Sequence, residues 1–508
     1  MNLTLLLDMA ASGFDDRVAF GSRPGGLTYA ALKARADAGA AVLRDLGVEH
    51  LVYVATNGPE FPVALFAAAR AEVPLVPVNY RLGGEQLHEL LHAHPSSLVI
   101  LEDEIRALAG EAGRMRVSPS EWMAMTDPSV AGDPGPEPFD PEAVALLLYT
   151  SGTTAAPKAA VLRQRHLTSY VMGTVEFASA DDDAASLVSV PPYHIAGVSN
   201  TVSNLYAGRR VVHLTTFTPQ TWLATVRTEG ITHALVVPTM LARIVEYLDE
   251  IGVPDAAVPT LRTLAYGGAP MPARIIERAL ALLPTADFVN AYGLTETSST
   301  VAVLGPDDHR LAAASPDPAV RARLGSAGTL VPGIEAEIRD ELGDPVAPGT
   351  VGELYLRGDQ VSGEYLGREA AVDDAGWFRT RDRARMDPDG FLFVEGRTDD
   401  TIIRGGENIA PAEIEEVLRA HEGVADAAVF GLPDEEWGQV IAAVVVARPG
   451  HDLDADSVRA FARAHLRSAK TPDVVTFRAE LPHTETGKLL RRVLQAELTA
   501  TRGPAADG

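Results

Sequence analysis

The chain has 508 residues, 46% of them hydrophobic, which excludes a disordered protein and leaves room for two or more domains with large cores. Its net charge of −26 argues against nucleic acid or an anionic membrane as a partner. It has no cysteine, which excludes disulfides, thiolate metal sites and a cysteine nucleophile, and fits a reducing, cytoplasmic setting.

Met1 to Gly13 is an apolar run broken by Asp8 with no leading Lys or Arg, so it does not read as a secretory signal. The longest apolar runs, such as Val440–Ala447, are far shorter than the ~20 residues that span a bilayer. The final residues, Ala-Ala-Asp-Gly, lack a Ser-Lys-Leu peroxisomal address. No membrane span is expected.

From Leu51 to Leu101 short apolar runs alternate with helical patterns. Leu51–Thr56, Val73–Val78 and Leu98–Leu101 read as strands, and Pro59–Ala71 and Glu85–Ala93 as helices. Such alternation predicts parallel β-α-β units. Pro134, Pro136, Pro138 and Pro141 mark a connection. The alternation resumes from Val144 to Asn290. Strands are expected at Leu187–Val190, Arg210–Leu214, Ala234–Val237, Thr263–Tyr266 and Asp287–Asn290, and helices at Pro219–Thr228 and Thr239–Leu248. Between about Leu324 and Glu395 the pattern changes to short strands with Gly and Pro turns, as in a β-barrel or sandwich. The last stretch reads as a small α+β unit. Its helices are Pro411–Ala420, Ala455–His465 and Lys488–Leu498, and its strands Val424–Phe430, Val440–Ala447 and Asp473–Phe477. The fold class is therefore multidomain α/β: a large N-terminal domain of layered α/β subdomains with a β-rich, barrel-like part, then a small α+β domain.

One short motif points to metal chemistry. His88-Glu89-Leu90-Leu91-His92 fits H-E-x-x-H, two imidazoles one helical turn apart. Pro95 ends the helix and no third histidine follows at the extended spacing, so the stretch reads as a surface helix between two strands.

The stretch that organises the chain is Leu146-Leu147-Leu148-Tyr149-Thr150-Ser151-Gly152-Thr153-Thr154-Ala155-Ala156-Pro157-Lys158. A buried strand runs into small hydroxylated residues whose backbone N–H groups can form an anion nest. Thr150, Ser151, Thr153 and Thr154 add neutral donors, and Lys158 adds a point charge. The set suits nucleotide phosphates, although it lacks the Gly-Lys-Ser/Thr of a Walker A loop. Further along, Pro191-Pro192-Tyr193-His194 follows a strand, at the end where open α/β sheets bind ligands. Gly267-Gly268-Ala269-Pro270 follows another strand and lets a flat ligand approach the backbone. In Asn290-Ala291-Tyr292-Gly293-Leu294-Thr295-Glu296, Tyr292 can stack on a base, and Glu296 is a hard oxygen ligand suited to Mg²⁺. Asp382, in Gly376-Trp377-Phe378-Arg379-Thr380-Arg381-Asp382, is a carboxylate able to accept from a diol.

Taken in order over residues 146–488, these motifs resemble those of the adenylate-forming superfamily of acyl-CoA synthetases, peptide-synthetase adenylation domains and luciferases. Three further stretches belong to the resemblance: Gly396-Arg397-Thr398-Asp399-Asp400, Arg404-Gly405-Gly406-Glu407-Asn408, and Leu481-Pro482-His483-Thr484-Glu485-Thr486-Gly487-Lys488. Ala155, Ala159 and Arg381 stand where the family usually has Gly. The resemblance implies a residue 1–396 adenylation domain, a hinge at 397–399 with Asp399 as pivot, and a mobile domain at 400–508. It implies that Thr150, Ser151, Gly152, Thr153, Thr154 and Lys158 hold phosphates. Gly268, Ala269, Pro270, Asn290, Ala291, Tyr292 and Gly293 would hold adenine, Asp382 the ribose, and Arg397 ribose or phosphate. Thr295 would touch phosphate and Glu296 would bind Mg²⁺. His194 would line the carboxylate pocket, Lys488 would bridge carboxylate and α-phosphate, and Gly405-Gly406 would line a pantetheine tunnel.

The implied activity is ligation of a fatty or related carboxylic acid to CoA through an acyl-adenylate, with ATP, Mg²⁺ and coenzyme A. No Asp stands beside His194-Ile195 to pair a substrate amine, which favours a simple acid over an amino acid. Alternatives are transfer to a carrier-protein thiol or a non-thiol nucleophile, a luciferase-like oxidation, and a non-catalytic nucleotide-binding regulator. Intact Glu296, Asp382 and Lys488 speak against the regulator. A homodimer is compatible with the sequence.

Overall fold

The computed structural model describes residues 2–502, apart from 111–112, 131, 133–134, 136–139, 151–157, 405–406, 435–436 and 485–488. Two large sheets dominate. A six-stranded sheet has the order Met115–Val117, Ser97–Leu101, His50–Val54, Leu75–Pro77, Val144–Thr150, Lys158–Arg163. All neighbours are parallel except the last pair. A nine-stranded sheet has at its centre, in order, Asp287–Leu294, Thr263–Gly267, His233–Val236, Ala185–Val188 and Arg210–His213, again all parallel. Its outer strands on one side, Ser299–Leu304 and Thr329–Leu330, turn antiparallel.

Strands buried on both faces explain the continuous apolar runs in the sequence. Every residue of Ser97–Leu101 is buried. Its Leu98 and Ile100 join a core with the helices Leu3–Phe14, Tyr29–Leu46, Glu60–Ala71, Gln164–Thr174 and Ile195–Ala207. Its Val99 and Leu101 join a second core with Leu87 and Leu91 of the helix Gly84–His92. In the other sheet Val188 and Val211 face the first core, whereas Leu187 and Val212 face a third, formed with the helices Pro219–Thr228, Pro238–Glu250 and Ala273–Leu282. The layers thus run helix, sheet, helix, sheet, helix. The apolar N-terminal run is the buried helix Leu3–Phe14 of the middle layer.

The β-rich stretch forms a four-stranded antiparallel meander, Glu335–Arg339, Gly352–Arg357, Phe378–Met386 and Leu392–Arg397. Burial alternates residue by residue in Gly352–Arg357, the mark of a sheet with one face on a core. Beyond it, Ile402–Arg404 pairs with Glu407–Ile409. The sheet Val424–Asp434, Gly438–Ala447, Val474–Arg478 then packs against the helices Pro411–Arg419 and Ala455–His465. The last helix is Arg491–Arg502 rather than Lys488–Leu498, because Leu489 and Leu490 first return to pair with the segment Pro482-His483. Among the described residues no helix is long and apolar enough to cross a membrane.

The H-E-x-x-H motif lies on Gly84–His92, with His88, Glu89 and His92 exposed and the two rings 3.9 Å apart. Among the described residues no three potential ligands cluster for a metal.

Candidate active site

Residues that leave the two large sheets at the C-terminal ends of their strands meet. Asn57, just after His50–Val54, donates to the Val190 carbonyl at 3.0 Å, just after Ala185–Val188. Tyr80 meets Tyr193 edge to face at 5.6 Å. Tyr193 in turn packs on His194 at 4.5 Å. His194 is the residue before the helix Ile195–Ala207, and burial lowers its pKa to about 4, so the ring is neutral at neutral pH.

Thr150 ends its strand and Lys158 begins the next, directly opposite in antiparallel register. The Thr150 hydroxyl donates to the Lys158 carbonyl at 3.3 Å. Ser151, Gly152, Thr153 and Thr154 lie outside the described residues.

Glu296 sits in the single turn Thr295–Thr297, between Asp287–Leu294 and its antiparallel neighbour Ser299–Leu304. The reversal is tight, and a Cβ on Gly293 would lie 1.7 Å from the Ser299 carbonyl, so only glycine fits. The Ser199 hydroxyl, on the helix that begins after His194, donates to the Ser299 hydroxyl at 3.0 Å. His194 and Glu296 are thereby brought to one neighbourhood. Tyr365 donates its phenol to Glu296 Oε1 at 2.5 Å, and its ring lies 5.8 Å from Lys158 Nζ.

The Tyr292 phenol donates to Asp382 Oδ2 at 2.5 Å, and Arg397 donates to Asp382 Oδ1 at 3.0 Å. Strand pairing causes the second contact, since Arg397 is the register partner of Asp382. Asp382 is buried, with its side chain 5% exposed. Burial raises the Tyr292 pKa well above the ordinary range, and Asp382 adds to that rise. Burial opposes the Arg397 charge, yet Asp382, Tyr292, Glu296 and Asp399 more than offset it. Tyr292, Asp382, Arg397 and Glu296 therefore form one electrostatic group.

Gly268, with φ at +88°, turns the chain after Thr263–Gly267 and leads into Ala269 and Pro270. That strand pairs with the one carrying Asn290 and Ala291, and Gly267 stands opposite Ala291. Asn290 donates to the Ser326 carbonyl at 2.8 Å, so its amide anchors the loop before the meander. Arg381 has φ at +62° and lies 3.6 Å from Asp399. Gly405, Gly406 and Lys488 lie outside the described residues.

Two family models cover most of the chain. One, for AMP-binding enzymes, matches residues 7–366, and the other, for the AMP-binding enzyme C-terminal domain, matches 413–488. This chain belongs to the AMP-binding enzyme family. The enzyme is 34% identical over 492 residues to a fatty acid–[acyl-carrier-protein] ligase of Streptomyces coeruleorubidus, covering 92% of this chain and 91% of that one. It is 36% identical over 483 residues to a feruloyl-CoA synthase of an Amycolatopsis species, covering 92% of each. Its fold superposes on ATP-bound MatB from Rhodopseudomonas palustris with a TM-score of 0.85 at 25% identity, over 99% of this chain and all of the other.

Tyr365 has no place among the sequence motifs. The signal available was an aromatic residue between Gly363 and Gly367, which reads as an ordinary turn in a β-rich stretch. Its role depends on a contact with Glu296, 69 residues away in sequence, which local pattern does not encode.

Proposed function

We propose that this AMP-binding enzyme is an ATP-dependent carboxylic acid–CoA ligase that forms an acyl-adenylate and releases AMP and pyrophosphate. The observation that carries the reading is the joined group Tyr292–Asp382–Arg397 beside Glu296, where the nine-stranded sheet meets the meander. A buried carboxylate held by two donors keeps lone pairs for a ribose diol. Tyr292, fixed at its phenol, offers a ring face to adenine, and Gly268, Ala269, Pro270, Asn290, Ala291 and Gly293 supply the adjoining backbone. Thr150, Ser151, Gly152, Thr153, Thr154, Lys158 and Thr295 hold phosphates. Neutral His194 borders the acid without adding a charge.

Glu296 suits a Mg²⁺ carried by ATP. It forms no ion pair among the described residues, and Mg²⁺ on nucleotides commonly takes one or two carboxylates plus phosphate oxygens. When bound, the ion supplies positive charge to the phosphates. The protein's part is to align the carboxylate with the α-phosphorus and neutralise developing charge, with no covalent enzyme intermediate.

We assign residues 1–396 to the adenylation domain, 397–399 to a hinge and 400–508 to a mobile domain that carries Gly405-Gly406 and Lys488. Lys488→Ala should slow adenylation by about 10²-fold, the scale for one preorganised charge contact, and spare thioester formation from supplied acyl-adenylate. The acid is a fatty or related acid, and the protein is assigned to the cytoplasm. A homodimer is tested by light scattering.

A second reading is supported by the similarity to a fatty acid–[acyl-carrier-protein] ligase, namely transfer to a carrier-protein thiol. Pyrophosphate release should be screened over short, long, cyclic and aromatic acids, with and without CoA. An accepted acid should turn over repeatedly only with CoA. Turnover with a carrier protein but not CoA would favour the second reading, and no release with any acid would contradict both.

A further inference from the structure

We propose that Tyr365 is a positioning residue, which holds one oxygen of the Glu296 carboxylate in place so that the other stays available to the cation on ATP. The inference rests on the reading of Glu296 as the metal-binding carboxylate. The 2.5 Å contact from the phenol to Oε1 is a charge-assisted hydrogen bond, the stronger kind. It occupies one carboxylate oxygen and leaves Oε2 without a bonding partner among the described residues.

The contact is built by the backbone. The Ser362 N–H donates to the Glu296 carbonyl at 2.8 Å, which ties the segment carrying Tyr365 to the turn carrying Glu296. The same segment is tied to Lys158–Arg163, the strand that leaves the phosphate loop. Val161 donates to the Glu364 carbonyl and Leu366 to the Ala159 carbonyl, each at 2.9 Å, and Ala160 bridges to Tyr365. The Ser362 hydroxyl donates to the Val161 carbonyl at 2.5 Å. Arg163 grips Glu364 through two nitrogens at 3.0 and 2.8 Å. Tyr365 is thus fixed between the two motifs assigned to phosphate binding.

Its ring has a second use. Lys158 Nζ lies 5.8 Å from the ring centroid, within cation–π range, and the phenol end holds Glu296. Lys158 makes no ion pair among the described residues, and the Tyr365 ring is the aromatic face it lies over. One side chain thus touches both the lysine assigned to phosphate and the glutamate assigned to the metal.

Tyr365→Phe keeps the ring and removes only the hydrogen bond. Partners that orient metal ligands typically change metal affinity by 10- to 100-fold when lost. The test is Mn²⁺ binding, followed by electron paramagnetic resonance, to the enzyme carrying a non-hydrolysable ATP analogue. It is run beside analogue binding in EDTA and the melting temperature of the free protein. Y365F should weaken Mn²⁺ by about tenfold or more, with metal-free analogue binding and melting unchanged, and should raise the Mg²⁺ concentration for half-maximal adenylation by the same factor. Equal loss of metal-free binding, or a large fall in melting temperature, would make Tyr365 merely structural and overturn the inference. E296Q separates the two claims. If E296Q binds Mn²⁺ like wild type, the reading of Glu296 fails and takes this inference with it. If E296Q loses Mn²⁺ while Y365F binds it normally, the positioning role alone is overturned.

Discussion

Asp382 and Glu296, the two carboxylates of the site, have opposite surroundings. Asp382 is buried and engaged by Arg397 and Tyr292 at once. Glu296 is half-buried, takes one phenol, and feels Arg397 only through its field, with no ion pair among the described residues. The difference matches what each would meet. A neutral ribose diol cannot hold a buried carboxylate in place, so the protein supplies the donors in advance. A metal ion brings its own charge, so a carboxylate already paired to an arginine would be spoiled for it. Direct ion pairing on one side and a single phenol contact on the other are thus two ways of preparing the same functional group.

Removing each carboxylate should expose this contrast, with the largest effect at Asp382. Asp382→Ala leaves Arg397 and Tyr292 without their shared partner. It should cost ~3 kcal/mol of stability, in the range for breaking one side of a buried pair. ATP–pyrophosphate exchange should also fall by about 10³-fold, because the proposed ribose contact and its frame would be lost together. Melting curves and exchange assays check both, and an unchanged melting temperature would break the comparison on its structural side.

Glu296→Gln comes second. It should lower adenylation by about 10²-fold while costing about 1 kcal/mol of stability, since the amide oxygen still accepts from Tyr365 but without its charge. A melting loss as large as that of D382A would show that Glu296 is structural too.

Acid titration separates the carboxylates from the histidines packed into the same domain. Burial pushes His194, His213 and His233 each down to about 4 and His166 to about 3, from an ordinary value of 6.5. A depressed folded-state value means that the unfolded chain binds protons first. The stability these groups contribute is therefore present above about pH 6.5 and lost as pH falls toward 4. The melting temperature should drop steadily between pH 6.5 and 5, and His194→Gln should flatten that slope. A flat profile in wild type would contradict the assignment of neutral buried imidazoles.

The smallest effect is expected at Arg381, which pairs with Asp399, the proposed pivot, from the strand that carries Asp382. Its left-handed backbone is unfavourable for a side chain, and its ion pair with Asp399 is half-exposed. Arg381→Gly relieves the first and removes the second, which is worth only ~0.2–1 kcal/mol. Net stability and overall turnover should barely move. A tenfold fall in CoA thioester formation alone would mean that the pair controls the hinge.

The sequence carried much of this, unevenly. The parallel strands of both sheets were legible because burial on both faces forces continuous apolar runs such as Leu98–Leu101. Asp382 and Arg397 were legible as members of separate motifs, yet their contact was not, since it arises from strand register in the meander. The N-terminal helices Leu3–Phe14 and Tyr29–Leu46 were not read as elements; the middle layer surrounds them and blurs the contrast between their faces. Tyr365 was illegible for the same reason as most positioning residues. Its chemistry is ordinary and only its long-range partner makes it special.

The most direct measurement is a single-turnover quench of the wild-type enzyme with ATP, Mg²⁺ and an accepted acid, read by mass spectrometry before and after adding CoA. Acyl-adenylate should build up in about one equivalent per site without CoA, then disappear as acyl-CoA and AMP form in equal amount. Pyrophosphate release without any acyl-adenylate, or an adenylate that persists in the presence of CoA, would contradict the account.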